Sequence, residues 1–192
     1  MKFPILAYGH PLLRKIAKDI NPDYPELQNL IDDMFEAMYE SNGVGLAAPQ
    51  IGKSIRLFIV DATPFIDFEE NLNEKEKEQI KGKKVFINAQ ITDEWGEKWD
   101  FTEGCLSIPG INEDVKRHKN IKIEYYDRDF NKHTAEISGI LARVIQHEYD
   151  HLEGILFTDH LSSFKKRLLK RKLENISKGK INVDYRMKFP KK

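Results

Sequence analysis

The chain has a single cysteine, Cys105, so no disulfide can form within it, and a lone thiol fits a reducing compartment. Long apolar runs are missing as well. Nothing approaches the ~18 consecutive apolar residues that cross a bilayer, which excludes a membrane-spanning helix. Near the start only Phe3 to Ala7 is mostly apolar before Tyr8, Gly9 and His10 intervene, too short for a signal-peptide core, and export is not expected. Net charge is absent too, since 31 basic residues balance 31 acidic ones. That balance conceals a segregation. Residues 165–192 carry twelve Lys and Arg against Glu174 and Asp184, a surplus of +10, which leaves residues 1–164 at −10.

What is present is a globular mixture of 40% hydrophobic and 32% charged residues, rich enough in apolar side chains for a core and unlike a disordered chain. At roughly 150 residues per domain, the length predicts one domain. Leu27, Leu30, Ile31, Met34, Phe35 and Met38 recur at helical spacing and predict a helix over 25–41, stopped by Asn42-Gly43 with glycine in the left-handed cap conformation. Ile55 to Val60, Val85 to Ile91 and Ile121 to Tyr126 are rich in β-branched and aromatic residues and read as strands. Between the first two, 67–84 is mostly Glu, Lys, Asn and Gly, which predicts a mobile surface insertion rather than a second domain. Ile140, Leu141, Val144, Ile145, His151 and Leu152 predict a buried helix over 139–153. From Ser162, a cap candidate, Phe164, Leu168, Leu169, Leu173 and Ile176 form the apolar stripe of a basic amphipathic helix, followed by a trailing arm.

The chemistry is concentrated on the 139–153 helix. His147-Glu148-Tyr149-Asp150-His151 places two imidazoles four residues apart, hence on one helix face roughly 6 Å apart, where a single metal ion can reach both. Glu148 is then close enough to work on a water without being a ligand. Asp150 is a candidate acceptor for the second ring nitrogen of a ligating histidine. A catalytic metal also needs a third protein ligand. The extended zincin pattern would put a histidine three residues beyond Gly154, but Phe157 stands there. Glu174, among Lys170, Arg171 and Lys172, has the surroundings of a surface salt-bridge residue. Cys105, within Glu103-Gly104-Cys105-Leu106-Ser107, offers a soft thiolate that suits zinc, iron or nickel beside imidazoles, although a lone cysteine is also an ordinary small core residue.

A further segment, Gly43 to Gln50 (GVGLAAPQ), has a superficial Gly-x-Gly-x-x-Ala core, but it follows a helix instead of a strand and so is not a dinucleotide fingerprint. Its glycines bring bare backbone close to something, and Gln50 adds an amide able to donate to an oxyanion.

Together, GVGLAAPQ, EGCLS and QHEYDHLEG, in this order and at these separations, resemble the peptide deformylases. The similarity runs from about Pro4 to the basic helix, with the 67–84 insertion outside it. It implies an α+β fold, antiparallel sheets around a central metal-binding helix with a C-terminal amphipathic helix, in which 1–164 form one catalytic domain and 165–192 its basic helix and tail. It implies metal ligation by Cys105, His147 and His151, with Glu148 as general acid/base and the Gln50 side chain and Leu106 N–H as oxyanion donors. Val44, Gly45 and Gly104 would line the peptide cleft, and Arg117 would contact substrate. The implied cofactor is one divalent metal, usually Fe(2+), with Zn(2+) or Ni(2+) also accommodated. The implied substrate is an N-formylmethionyl nascent peptide, which places the protein in a bacterial or organellar cytoplasm. Apart from the resemblance, the lack of long apolar runs predicts no membrane partner, and the +10 tail is either a solvated helix face with a frayed end, the usual fate of charge runs, or a basic surface for contact with ribosomal phosphate. Two rival classes are an endopeptidase, which would not need Cys105, and an inert metal-binding or RNA-associated module, which would not need Glu148.

Overall fold

The computed structural model describes residues 3–69 and 72–190. Its principal sheet is antiparallel, in the order β2 (Gly45–Ala47), β3 (Leu57–Val60), β4 (Lys84–Cys105), β5 (Ile108–Tyr126) and β6 (Lys132–Ser138). A second, two-stranded sheet pairs β1 (Ile5–Leu6) with β7 (Met187–Lys188), and this small pair is parallel. The helices are α1 (Leu27–Glu40), α2 (Phe65–Phe68), α3 (Glu74–Ile80), α4 (Gly139–Leu152) and α5 (Ser163–Ser177). The fold is thus the expected α+β mixture.

The Leu57-Phe58-Ile59-Val60 run shows why the sheet sits between two helices. Leu57 and Ile59 pack with Leu30, Ile31 and Met34 of α1, whereas Phe58 and Val60 pack with Leu141, Val144 and Ile145 of α4. A strand buried on both faces reads as a continuous apolar run instead of an alternation. Since burying each such side chain is worth roughly 1.5–3 kcal/mol, both helices are held firmly to the strand. A third cluster joins Ile108, Ile111 and Val115 of β5 to Phe157 and to Leu169, Leu173 and Ile176 of α5.

Several expectations change. Two of the predicted strands prove to be parts of a long β4–β5 hairpin, in which residues 92–98 of β4 are exposed and mostly polar. Register shifts between Ile91 and Asp93, Trp95 and Lys98, and Glu103 and Cys105 interrupt the period-two pattern by which a strand is recognised. The segment 67–84, expected as a mobile insertion, contains α3, started by a reciprocal Asn73–Glu76 capping box and anchored by Ile80, which is buried in the α4 cluster. After α1 the left-handed residue is Asn42, not Gly43. Gly43 is tightly packed instead, since a Cβ there would lie 3.0 Å from Leu106 Cδ1 and that side chain would have to give.

Ser162 caps α5 as expected, accepting from Lys165 N at 3.3 Å. Only Leu169, Leu173 and Ile176 of its stripe are buried, and Phe164 and Leu168 stand 63% and 64% exposed. The trailing arm folds back, bringing β7 beside β1.

Candidate metal centre

Cys105 ends β4, and a two-residue turn, Leu106-Ser107, leads to Ile108, its partner across the hairpin. This brings the thiol against α4. The Cys105 Sγ is 3.3 Å from His151 Nε2, and one ligand atom from each of Cys105, His147 and His151 lies within 4.8 Å of the others. The two imidazole centroids are 5.2 Å apart, as the four-residue helical spacing requires. Among the described residues this is the one Cys/His/Asp/Glu cluster compact enough to hold a metal ion.

A buried carboxylate sets the histidine. Glu103, two residues before Cys105, accepts from His147 Nδ1 at 2.9 Å, leaving Nε2 as the ring nitrogen available to a metal. Glu103 is itself gripped by Arg117, whose Nε and Nη2 donate at 2.7 and 3.0 Å, and by Arg143 Nη1 at 3.1 Å. Arg143, almost wholly buried, also donates to the Val115 and Trp99 carbonyls and stacks over the Trp99 ring.

Burial disfavours charge on every group here, and the pairings decide which groups stay charged. For Glu103, burial is outweighed by the bonds from His147 and Arg117, which hold its carboxyl far below the usual carboxylate range. For Cys105, burial is outweighed by the charges and hydrogen bonds of His151 and His147, and its pKa falls to about 5. Burial also works against His147, whose bonds to Cys105 and Glu103 nonetheless raise its pKa well above that of a free imidazole. For Glu148, burial outweighs the nearby charges of His147 and His151 and pushes its carboxyl up to about 7, and its Oε2 has no hydrogen-bond partner.

A cavity of about 390 Å³ opens beside this group, walled by Val44, Gly45, Gln50, Gly104, Leu106 and Glu148, among others. Gly45 is fixed by sterics, since a Cβ there would lie 2.4 Å from Glu148 Oε1 and 2.8 Å from Cδ. Gln50, buried in the turn after β2, accepts from Ala47 N through Oε1 at 2.8 Å. Its Nε2 therefore points the other way, toward Ser107 Oγ at 3.3 Å and Cys105 Sγ at 3.5 Å. The site thus combines a soft thiolate, two imidazoles, a carboxyl able to change protonation near neutrality and an amide donor, a set suited to metal-assisted hydrolysis.

Residues 2–167 match the family model described as polypeptide deformylase. The chain belongs to the peptide deformylase family. It is 61% identical over 191 residues to the peptide deformylase of Christiangramia forsetii, covering 99% of this chain and 97% of that one. It is 57% identical over 194 residues to that of Flavobacterium psychrophilum, covering both chains fully. Among solved structures, the peptide deformylase of Plasmodium falciparum matches at TM-score 0.78 and 34% identity, covering 91% of this chain and 95% of the other. That of Legionella pneumophila matches at TM-score 0.76 and 36% identity, covering 93% and 96%.

Of the residues singled out by resemblance to deformylases, Gln50, Cys105, His147, Glu148 and His151 converge, with Val44, Gly45, Gly104 and Leu106 on the adjoining wall. Arg117 does not. Its side chain is 6% exposed and its guanidinium spans Glu103 and Asp150, outside the residues that line the cavity. Asp150, expected beside a ligating histidine, instead pairs with Arg117 at 2.8 Å and His160 at 2.7 Å. Glu174 pairs with Lys178 on the surface, as its surroundings suggested. Sequence reading missed the roles of Glu103 and Arg143. Arg143 did carry a signal: it is a cation one turn before His147, flanked on the helix by Leu141, Ala142, Val144 and Ile145.

Proposed function

We propose that this chain is a metal-dependent hydrolase that removes the N-formyl group from the N-terminal formylmethionine of newly synthesised polypeptides. The reading is carried by one observation: a thiolate and two imidazoles meet beside a buried carboxyl with an unpartnered oxygen, at the wall of a peptide-sized cavity. Cys105, His147 and His151 would hold one divalent ion, iron(II) by expectation, in a donor set that also suits zinc(II) and nickel(II). When bound, the ion supplies a Lewis acid and lowers the pKa of water.

The chain's own residues do the rest. Glu148 takes a proton from the attacking water and returns it to the leaving amine, a double use open to a buried carboxyl whose Oε2 has no other partner. The Gln50 amide, its donor side turned toward Cys105 by the bond to Ala47 N, and the Leu106 N–H meet the oxygen that becomes negative as the formyl carbon is attacked. Val44, Gly45 and Gly104 border the extended substrate. Gly45 lets substrate backbone approach where a side chain would collide with Glu148.

The test combines metal analysis with formate release from a formyl-Met peptide on one anaerobic preparation, beside Cys105→Ala. The wild type should contain about one ion per chain and release formate, and the variant should lose both. Full metal occupancy in Cys105→Ala would overturn the three-ligand set. Cleavage of internal peptide bonds without formate release would favour the endopeptidase.

The same reading places the protein in a bacterial or organellar cytoplasm, near the ribosome. Exposed Arg167, Lys170, Arg171 and Lys172 on α5 offer a cationic surface able to bind phosphate backbone by counterion release. No helix among the described residues is long and apolar enough to cross a membrane.

A further inference from the structure

Beyond α5, burial alternates along the chain: Ile181, Val183, Tyr185, Met187 and Phe189 are partly buried, and Asn182, Asp184, Arg186 and Lys188 are exposed. This strap is tied to the start of the chain, with Ile5 N donating to Arg186 O and Ala7 N to Lys188 O, both at 2.9 Å. The next residue, Tyr8, donates its N–H to Ser107 O at 2.8 Å, so β1 and β7 together reach the turn that follows Cys105. From the strap, Tyr185 enters the wall of the metal-site cavity, and its hydroxyl donates to the Leu106 carbonyl at 2.8 Å.

Three polar groups of that two-residue turn are therefore held by three different elements. Gln50 holds the Ser107 hydroxyl, Tyr8 the Ser107 carbonyl and Tyr185 the Leu106 carbonyl. Leu106 matters most, because its N–H is the backbone oxyanion donor assigned above. Rotation of Leu106 would turn that donor away from the reacting oxygen, and oxyanion donors act only when they are aimed in advance.

We propose that Tyr185 is a positioning residue for this site: its hydroxyl fixes Leu106 so that the Leu106 N–H is aimed at the developing oxyanion, and its ring closes that side of the substrate cavity. The proposal rests on the deformylase reading, and it makes the strap part of the working site.

The test uses Tyr185→Phe in the full-length, metal-loaded protein. The variant removes the hydroxyl but keeps the ring, so kcat on a formyl-Met peptide should fall on the order of ten-fold, with KM within about two-fold of wild type. Metal content and melting temperature should be unchanged. Amide hydrogen exchange at Leu106 and Ser107 should quicken several-fold while β4–β5 amides keep their rates. Tyr185→Ala should raise KM as well, because it opens the wall. Wild-type kcat in Tyr185→Phe would overturn the proposal, and so would a fall in kcat matched by loss of metal or melting temperature, which marks a purely structural hydroxyl. Should the wild type release no formate, the deformylase reading fails, and unchanged exchange at Leu106 would then overturn Tyr185's hold on the turn independently.

Discussion

Glu103 Oε2 lies 2.9 Å from His147 Nδ1, and the same carboxylate is forked by Arg117 and touched by Arg143. One buried anion therefore fixes the ring of a metal-site histidine while neutralising guanidiniums that would be costly to bury alone.

Glu103→Gln should accordingly lower metal affinity by roughly 10- to 100-fold, since the neutral amide no longer orients His147 as strongly. Stability should fall by about 3 kcal/mol, because Arg143 and Arg117 lose the counter-charge they share, while Arg117 keeps Asp150. Metal titration and denaturant melts check both effects, and unchanged metal affinity would show that His147 is held by packing alone.

Gly45→Ala should fold and bind metal but turn over roughly a hundred-fold more slowly, since the new Cβ would displace the Glu148 carboxylate, whose Oε1 and Cδ it would approach to 2.4 and 2.8 Å. A near wild-type rate on a formyl-Met peptide would mean that Glu148 works from another position.

The pH response of metal-free protein tests the isolation of Glu148. Its carboxyl is raised from 4.5 to about 7, so the folded state holds the proton more tightly than the unfolded state does. No penalty arises below pH 4.5, and it is complete above about pH 7, where the ionised group is buried without a partner. Wild type should therefore lose about 3 kcal/mol relative to Glu148→Gln as pH rises through that window. Parallel stability profiles for the two proteins would contradict this.

Ribosome attachment through α5 is tested by charge reversal at Arg167, Lys170 and Arg171. Lys165 and Lys166 should be spared, because Lys165 pairs with Glu113 at 2.8 Å and Lys166 donates to the Asp159 carbonyl at 2.7 Å. The variant should hydrolyse short formyl-peptides normally yet sediment less with ribosomes, and wild-type binding should weaken steeply as salt rises. Equal sedimentation at low salt would reduce α5 to a solvated surface.

The sequence was most legible where contacts are local. The α4 histidines share a face because of helical spacing alone, and α1 follows its apolar stripe to within two residues of the predicted bounds. Cys105 became a site residue only through the resemblance, since nothing local brings residue 105 to residue 151. The pairing of Arg117 with Glu103 and Asp150 was foreshadowed only by the strand alternation. Val115 and Arg117 lie two apart on β5, with exposed Lys116 between them, so the guanidinium shares the inward face of a buried valine. Phe164 and Leu168 show the opposite error, in which an apolar stripe wider than its contact leaves residues in water. The strap from 181 was hidden by the polar and charged residues between its apolar ones, yet Ile181, Val183, Tyr185, Met187 and Phe189 alternate as a half-buried strand should.

The parallel pairing of β1 with β7 also bears on when a molecule becomes competent. Ile5 and Leu6 acquire their partners only when Met187 and Lys188 arrive, 182 positions later in an order of synthesis that runs from the N-terminus. Until then β1 has no strand to pair with, and closing so long a loop is among the last events of folding. Tyr8, which braces Ser107, lies immediately beyond this closure. The histidine helix and the β4–β5 hairpin can therefore assemble during translation, whereas the brace on the turn after Cys105 is completed only after Met187 and Lys188 have been made.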